Sequence, residues 1–125
     1  MKAVLVDQES NLSWGETDKP KINADEILVK VHATAINRAD LMQRKGMYPP
    51  PAGASEIMGL ECAGEVVELG ANVSNWNVGD QVCALLAGGG YAQYVAIPSI
   101  NAMPIPAGLS MNEAAALPEV FATAW

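Results

Sequence analysis

Glu61 is the side chain whose setting most needs a chemical explanation. It lies in Gly59-Leu60-Glu61-Cys62-Ala63-Gly64, an apolar strand-like run. An ionisable group there is costly unless it is paired. Arg38 or Arg44 is the expected cation, which makes Glu61 either half of a structural ion pair or part of a site. Asn37 stands just ahead of the helix-forming residues Arg38 to Gln43. Its side chain can cap that helix or present its amide as a hydrogen-bond donor, and the two roles are compatible. Tyr48 follows on the turn after Gly46 and offers a ring for packing and a hydroxyl donor. Asp40 and Arg44 have the spacing of a pair on a helix surface.

The other reactive residue types suggest plainer roles. His32, the only histidine, falls on the polar side of its strand and is expected to face solvent. Cys62 and Cys83 occupy apolar segments with no Cys-x-x-Cys and no neighbouring histidine. That pattern predicts two buried thiols in a reducing, cytoplasmic protein. Gly88-Gly89-Gly90 lacks the Lys-Ser/Thr of a phosphate loop and leads into a strand rather than a helix. It is expected to be a turn. No Gly-x-Gly-x-x-Gly follows a strand, so the dinucleotide fingerprint is absent.

The elements that must position these residues are mostly strands. Lys2 to Val6 and Leu12 to Glu16 flank a polar turn, and Lys19 to Glu26 is a Pro-containing connection. Ile27 to Ala35 is the clearest strand, with Ile27, Val29 and Val31 on one face and Lys30 and His32 on the other. A short helix is expected over Asn37 to Arg44, stopped by Gly46, and Pro49-Pro50-Pro51 enforces an extended loop. Glu61 to Leu69, Gln81 to Leu86 and Tyr91 to Ile97 are further strands between Gly-rich turns. Many short strands of this kind imply a barrel or sandwich. Near residue 110 the character changes. Ser110 and Glu113 have the spacing of a capping box, Pro118 interrupts, and Glu119 to Trp125 starts a second helix.

Composition narrows the function. Half of the 125 residues are apolar, enough for one domain's core. Seven basic and fourteen acidic residues give a net charge of −7, which disfavours nucleic acid and anionic membrane surfaces. No uninterrupted apolar run reaches the roughly 18 residues of a membrane span. The start, Met1 to Asp7, has the pattern of a first strand rather than a signal peptide.

Four blocks then occur in order: Asn37-Arg38-Ala39-Asp40-Leu41 with Arg44 to Tyr48; Gly59-Leu60-Glu61 through Val82; Gly88 to Val95; and Ala114 to Pro118 with Thr123-Ala124-Trp125. Together they resemble the GroES-like domain of the medium-chain dehydrogenase/reductase superfamily, and within it the zinc-free NADPH:quinone oxidoreductases. The resemblance covers essentially the whole chain. It implies a mainly β, partly open GroES-like barrel with short helices over 1–112. Residues 113–125 would begin the junction to an NADPH-binding Rossmann domain that this chain does not contain.

The resemblance also bears on metal and cofactor. Zinc-dependent members place a Cys ligand where this chain has Asn37 and a His ligand at Leu60. Their four-cysteine loop would fall between Val82 and Gly88, where only Cys83 occurs. No zinc site is therefore expected. By resemblance, Asn37 and Tyr48 line the cleft beside the nicotinamide, and Thr123 opens the helix beneath it. Glu61 and Arg44 are secondary candidates. The implied activity is hydride transfer from NADPH to a quinone, with a homodimer formed through the second domain and no activity in this piece alone. The alternatives are an enoyl or alkenal reductase of the same superfamily, or a non-enzymatic GroES-like module such as a chaperonin cap.

Overall fold

The clearest strand in the sequence is also the centre of the fold. The computed structural model describes residues 1–47 and 52–119. In it, β3 (Glu26–Thr34) pairs antiparallel on one side with β4 (Glu61–Leu69) and on the other with β6 (Tyr94–Pro98). Beyond β4 lie β5 (Gln81–Leu85) and β7 (Ala102–Pro104), giving the order β6-β3-β4-β5-β7. A separate hairpin, β1 (Lys2–Val6) with β2 (Leu12–Glu16), attaches at the segment before β6. There the Val4 N–H donates to the Tyr91 carbonyl at 2.8 Å, and the Gln93 N–H to the Lys2 carbonyl at 3.0 Å. The result is a curled, half-closed sheet, as the many short strands imply.

Strand alternation splits the buried side chains between two faces. Cys62 and Ala84, opposite one another in register, join Ile27, Val29, Val66, Val82, Val95 and Ile97 inside the barrel. Ala63 and Cys83, the next pair, point the other way and are covered by Ala114 and Ala115. Those two alanines belong to α2 (Met111–Ala114) and its C-cap, and both are fully buried. Ser110 and Glu113 form the expected capping box. The stretch expected to begin a junction to another domain is thus engaged within this chain at Ala114 and Ala115. They pack on this chain's own sheet.

Sequence and structure differ elsewhere by small amounts. β6 begins at Tyr94 rather than Tyr91, because Tyr91–Gln93 is spent holding the hairpin. β7 has no sequence signal, being three residues ending in Pro104. The short helix α1 spans Arg38–Arg44, and Gly46 stops it at φ +74°. The second helix expected at Glu119 to Trp125 lies, after Glu119, outside the described residues.

Candidate active site

Where β3 leaves the sheet, the chain turns into α1 through Asn37, whose backbone is extended (φ −124°, ψ 156°). Its N–H donates to Asp40 Oδ2 at 2.8 Å, and the Asp40 N–H returns to the Asn37 carbonyl at 3.0 Å. Asn37 therefore occupies the cap position. Its amide nitrogen, however, is turned toward β4 and donates to Glu61 Oε1 at 2.9 Å. Asn37 thus stands at the cap position while its side-chain amide is spent on Glu61.

Glu61 has no solvent exposure. Its second oxygen, Oε2, accepts the backbone N–H of Glu119 at 2.8 Å. The Thr34 hydroxyl donates to the Glu61 carbonyl at 2.7 Å, fixing the strand that carries it. The expected ion pair does not form. Arg38 is exposed, and Arg44 Nε donates to the Ser10 carbonyl at 2.7 Å, pinning α1 to the turn of the β1–β2 hairpin. Glu61 is satisfied by two N–H donors instead of a cation.

The Asp40–Arg44 pair is likewise absent. Asp40 faces inward, 4% exposed, and its Oδ2 accepts the Tyr91 hydroxyl in a short hydrogen bond. That hydroxyl also lies 3.2 Å from the Ala35 carbonyl. Burial first, and then the Asp40 carboxylate, push the Tyr91 phenol above the ordinary tyrosine range. Sequence reasoning gave neither Asp40 nor Tyr91 this role. An i, i+4 pattern suggests only the surface pair, and the Tyr91 contact joins residues 51 apart in the chain.

Tyr48 and Thr123 lie outside the described residues. Leu60 is nearly buried and uses its carbonyl to accept the Leu86 N–H at 2.7 Å. Its side chain is hydrocarbon and offers no ligand. Cys62 and Cys83 are free and buried on opposite faces of the sheet. Desolvation pushes Cys62 up to about 12, with Cys83 and Glu61 adding to it, and raises Cys83 as well. His32 is exposed. Among the described residues no three His, Cys, Asp or Glu side chains are grouped to hold a metal. Nor, among them, is any helix long and apolar enough to cross a membrane.

Gly88-Gly89-Gly90 does not fit a phosphate. A Cβ on Gly88 would come within 2.8 Å of the Ser55 carbonyl, and one on Gly90 within 3.0 Å of the Glu61 carbonyl. Backbone thus stands where a side chain at Gly88 or Gly90 would lie, and the Tyr91 N–H donates to the Met58 carbonyl at 2.9 Å.

Comparison with known proteins agrees with the geometry. The family described as "Alcohol dehydrogenase GroES-like domain" matches residues 23–107. The zebrafish (Danio rerio) "Synaptic vesicle membrane protein VAT-1 homolog" is 36% identical over 107 residues, covering 86% of this chain and 22% of that protein. The solved quinone oxidoreductase from Coxiella burnetii superposes with a TM-score of 0.84 at 30% identity, over 95% of this chain and 41% of that one. The CurK enoyl reductase gives 0.87 at 28% identity, over 98% and 40%. This chain therefore spans about a fifth of the curated relative and two fifths of the solved structures. With a family match across most of its length, a curled antiparallel barrel and the same fold in solved oxidoreductases, the chain belongs to the alcohol dehydrogenase GroES-like domain family of the medium-chain dehydrogenase/reductase superfamily.

Proposed function

We propose that this chain is the substrate-side domain of an NADPH-dependent quinone oxidoreductase that works without zinc. The observation that carries the reading is the pair of residues at the positions where zinc-dependent members of the superfamily hold their metal. One is Asn37, its amide bound to a buried carboxylate, and the other is Leu60, a nearly buried hydrocarbon. A quinone suits such a site because its developing negative charge spreads onto oxygen, so no Lewis acid is needed. The chain then has to orient the acceptor, exclude water and offer a hydrogen bond to that oxygen. An amide nitrogen carries two hydrogens. Glu61 takes one from Asn37, leaving the second for the acceptor. Tyr48 is assigned a packing ring and a second donor, and Thr123 a place beside the nicotinamide. Arg44 stands apart from this group, on Ser10.

A reduced nicotinamide, held mainly by a second domain outside this chain, supplies the hydride when bound. The final proton comes from water, so no side chain here is an obligatory acid. The two free buried thiols favour a cytoplasmic enzyme, and we assign dimerisation to the second domain. Enoyl reductases share this fold, and a conjugated enone passes charge to its oxygen in the same way, which makes an enoyl or alkenal acceptor the second reading.

The test is NADPH oxidation by the full-length protein carrying this chain, with a panel of ortho- and para-quinones and of enals. The account expects quinone reduction. A lost neutral hydrogen bond is worth ~0.5–1.5 kcal/mol, so Tyr48→Phe should cost roughly threefold to tenfold in rate. Tyr48→Ala, which also removes the ring, should cost more. Turnover of enals alone would select the second reading, and abolition of turnover by Tyr48→Phe would make Tyr48 an obligatory acid.

A further inference from the structure

We propose that Glu61 is a positioning residue, a buried carboxylate that sets the Asn37 amide and ties the segment leaving the barrel to the same point. The inference rests on the reading of Asn37 as a cleft residue. Its basis is the two contacts of Glu61, one per oxygen: Asn37 Nδ2 at 2.9 Å and the Glu119 N–H at 2.8 Å. A carboxylate accepts hydrogen bonds and donates none. Facing Glu61, Asn37 must therefore present its nitrogen rather than its oxygen, which decides what the rest of the amide shows to the cleft. The same carboxylate fixes where Glu119 stands, four residues beyond Ala115, which with Ala114 covers Ala63 and Cys83.

A structural role alone would not call for this residue type. Glu61 lies on the same strand face as Ala63, which packs against the small apolar side chains of Ala114 and Ala115. Burying a carboxylate there with no cation among the described residues is expensive. It is compensated only by donors that arrive from both sides. Glutamine cannot keep Asn37 in this orientation: with its oxygen on the Glu119 N–H its own N–H faces Asn37, which must then turn its oxygen inward to accept. Aspartate is one methylene shorter and cannot span both.

The two roles separate in a swap experiment on the full-length protein. Glu61→Gln should lower kcat for quinone reduction about tenfold or more, as expected for a lost charge-assisted hydrogen bond, with KM changed far less. Hydrogen exchange at the Glu119 amide should quicken by a similar factor unless Asn37 turns its oxygen to the glutamine. Glu61→Gln combined with Asn37→Asp reverses one hydrogen bond: the glutamine nitrogen donates to the new carboxylate, and its oxygen accepts from Glu119. This double variant should recover slow exchange at Glu119 but not kcat, since no amide donor remains at position 37. Recovery of both would show Glu61 to be structural only and overturn the proposal. Unchanged kcat in Glu61→Gln would overturn it too. If Glu61→Gln does not fold, Glu61→Asp is read in the same way. The exchange measurement needs no turnover, so a protein that ignores quinones would sink the functional reading while leaving the tie between Glu61 and Glu119 decided on its own.

Discussion

The two buried carboxylates among the described residues are met by specific donors: Asn37 and Glu119 for Glu61, and Tyr91 and the Asn37 N–H for Oδ2 of Asp40, whose Oδ1 has no partner among those residues. Sequence made the need for a partner at Glu61 plain, since a carboxylate in an apolar strand has to be satisfied. It could not choose the partner, because Asn37 and Glu119 come from segments 24 and 58 residues away. Arginine was the wrong choice for a physical reason: two N–H donors satisfy a carboxylate without the cost of burying a guanidinium. Cysteine burial, by contrast, was legible, and it carries a pH prediction. Cys62 holds its proton in the fold up to about 12, against an ordinary 9.0. The folded state then binds the proton more tightly than the unfolded one. Its contribution is complete below pH 9 and is lost as pH rises toward 12. Between pH 9 and 10, below the ordinary 10.0 of the Tyr91 phenol, Cys62 should account for a dependence approaching one proton. Urea unfolding of wild type and Cys62→Ala across that window should show a flatter slope in the variant. An unchanged slope would mean that Cys62 titrates normally.

Among the elements, the β3–β4 pairing decides whether the site exists, because β3 delivers Asn37 and β4 delivers Glu61. The pairing is not regular. Its register shifts between Val31 and Ala33, opposite Gly64, where the strands approach closely. A Cβ on Gly64 would stand 2.2 Å from the Lys30 carbonyl oxygen, a backbone atom that cannot step aside. Gly64→Ala should destabilise the domain by about 2–3 kcal/mol through overpacking. Gly46 differs: it has φ +74° with nothing near its missing Cβ. Gly46→Ala should cost only about 1–2 kcal/mol, the strain of a left-handed residue. Chemical denaturation that ranks the two the other way would contradict this account of the bulge. The strands themselves were readable from alternation, as β3 and β4 show, and α2 from its capping box. β7 was not, since three residues ending in proline carry no periodicity. The start of β6 was also hidden, because hydrogen bonds to the hairpin take Tyr91–Gln93 out of the ladder.

For the molecule as a whole, hydrogen bonds bring together the turn after β3, the start of β4 and the segment that follows α2. These converge on Glu61, and the convergence gives the proposed enzyme its form: a substrate-side domain whose acceptor-binding amide is set from within. The family was legible because its blocks are local in sequence. The acceptor was not, since quinone and enone differ in what the far wall of the cleft must hold. Metal independence is the claim on which the mechanism turns, because it makes the acceptor's own electrophilicity sufficient. It is tested most directly by quinone-dependent NADPH oxidation of the full-length protein before and after exhaustive dialysis against a chelator, with metal content measured on the same samples. The account predicts turnover that is unchanged by dialysis, in protein without stoichiometric zinc. Activity that disappears with a bound zinc and returns when zinc is restored would contradict it.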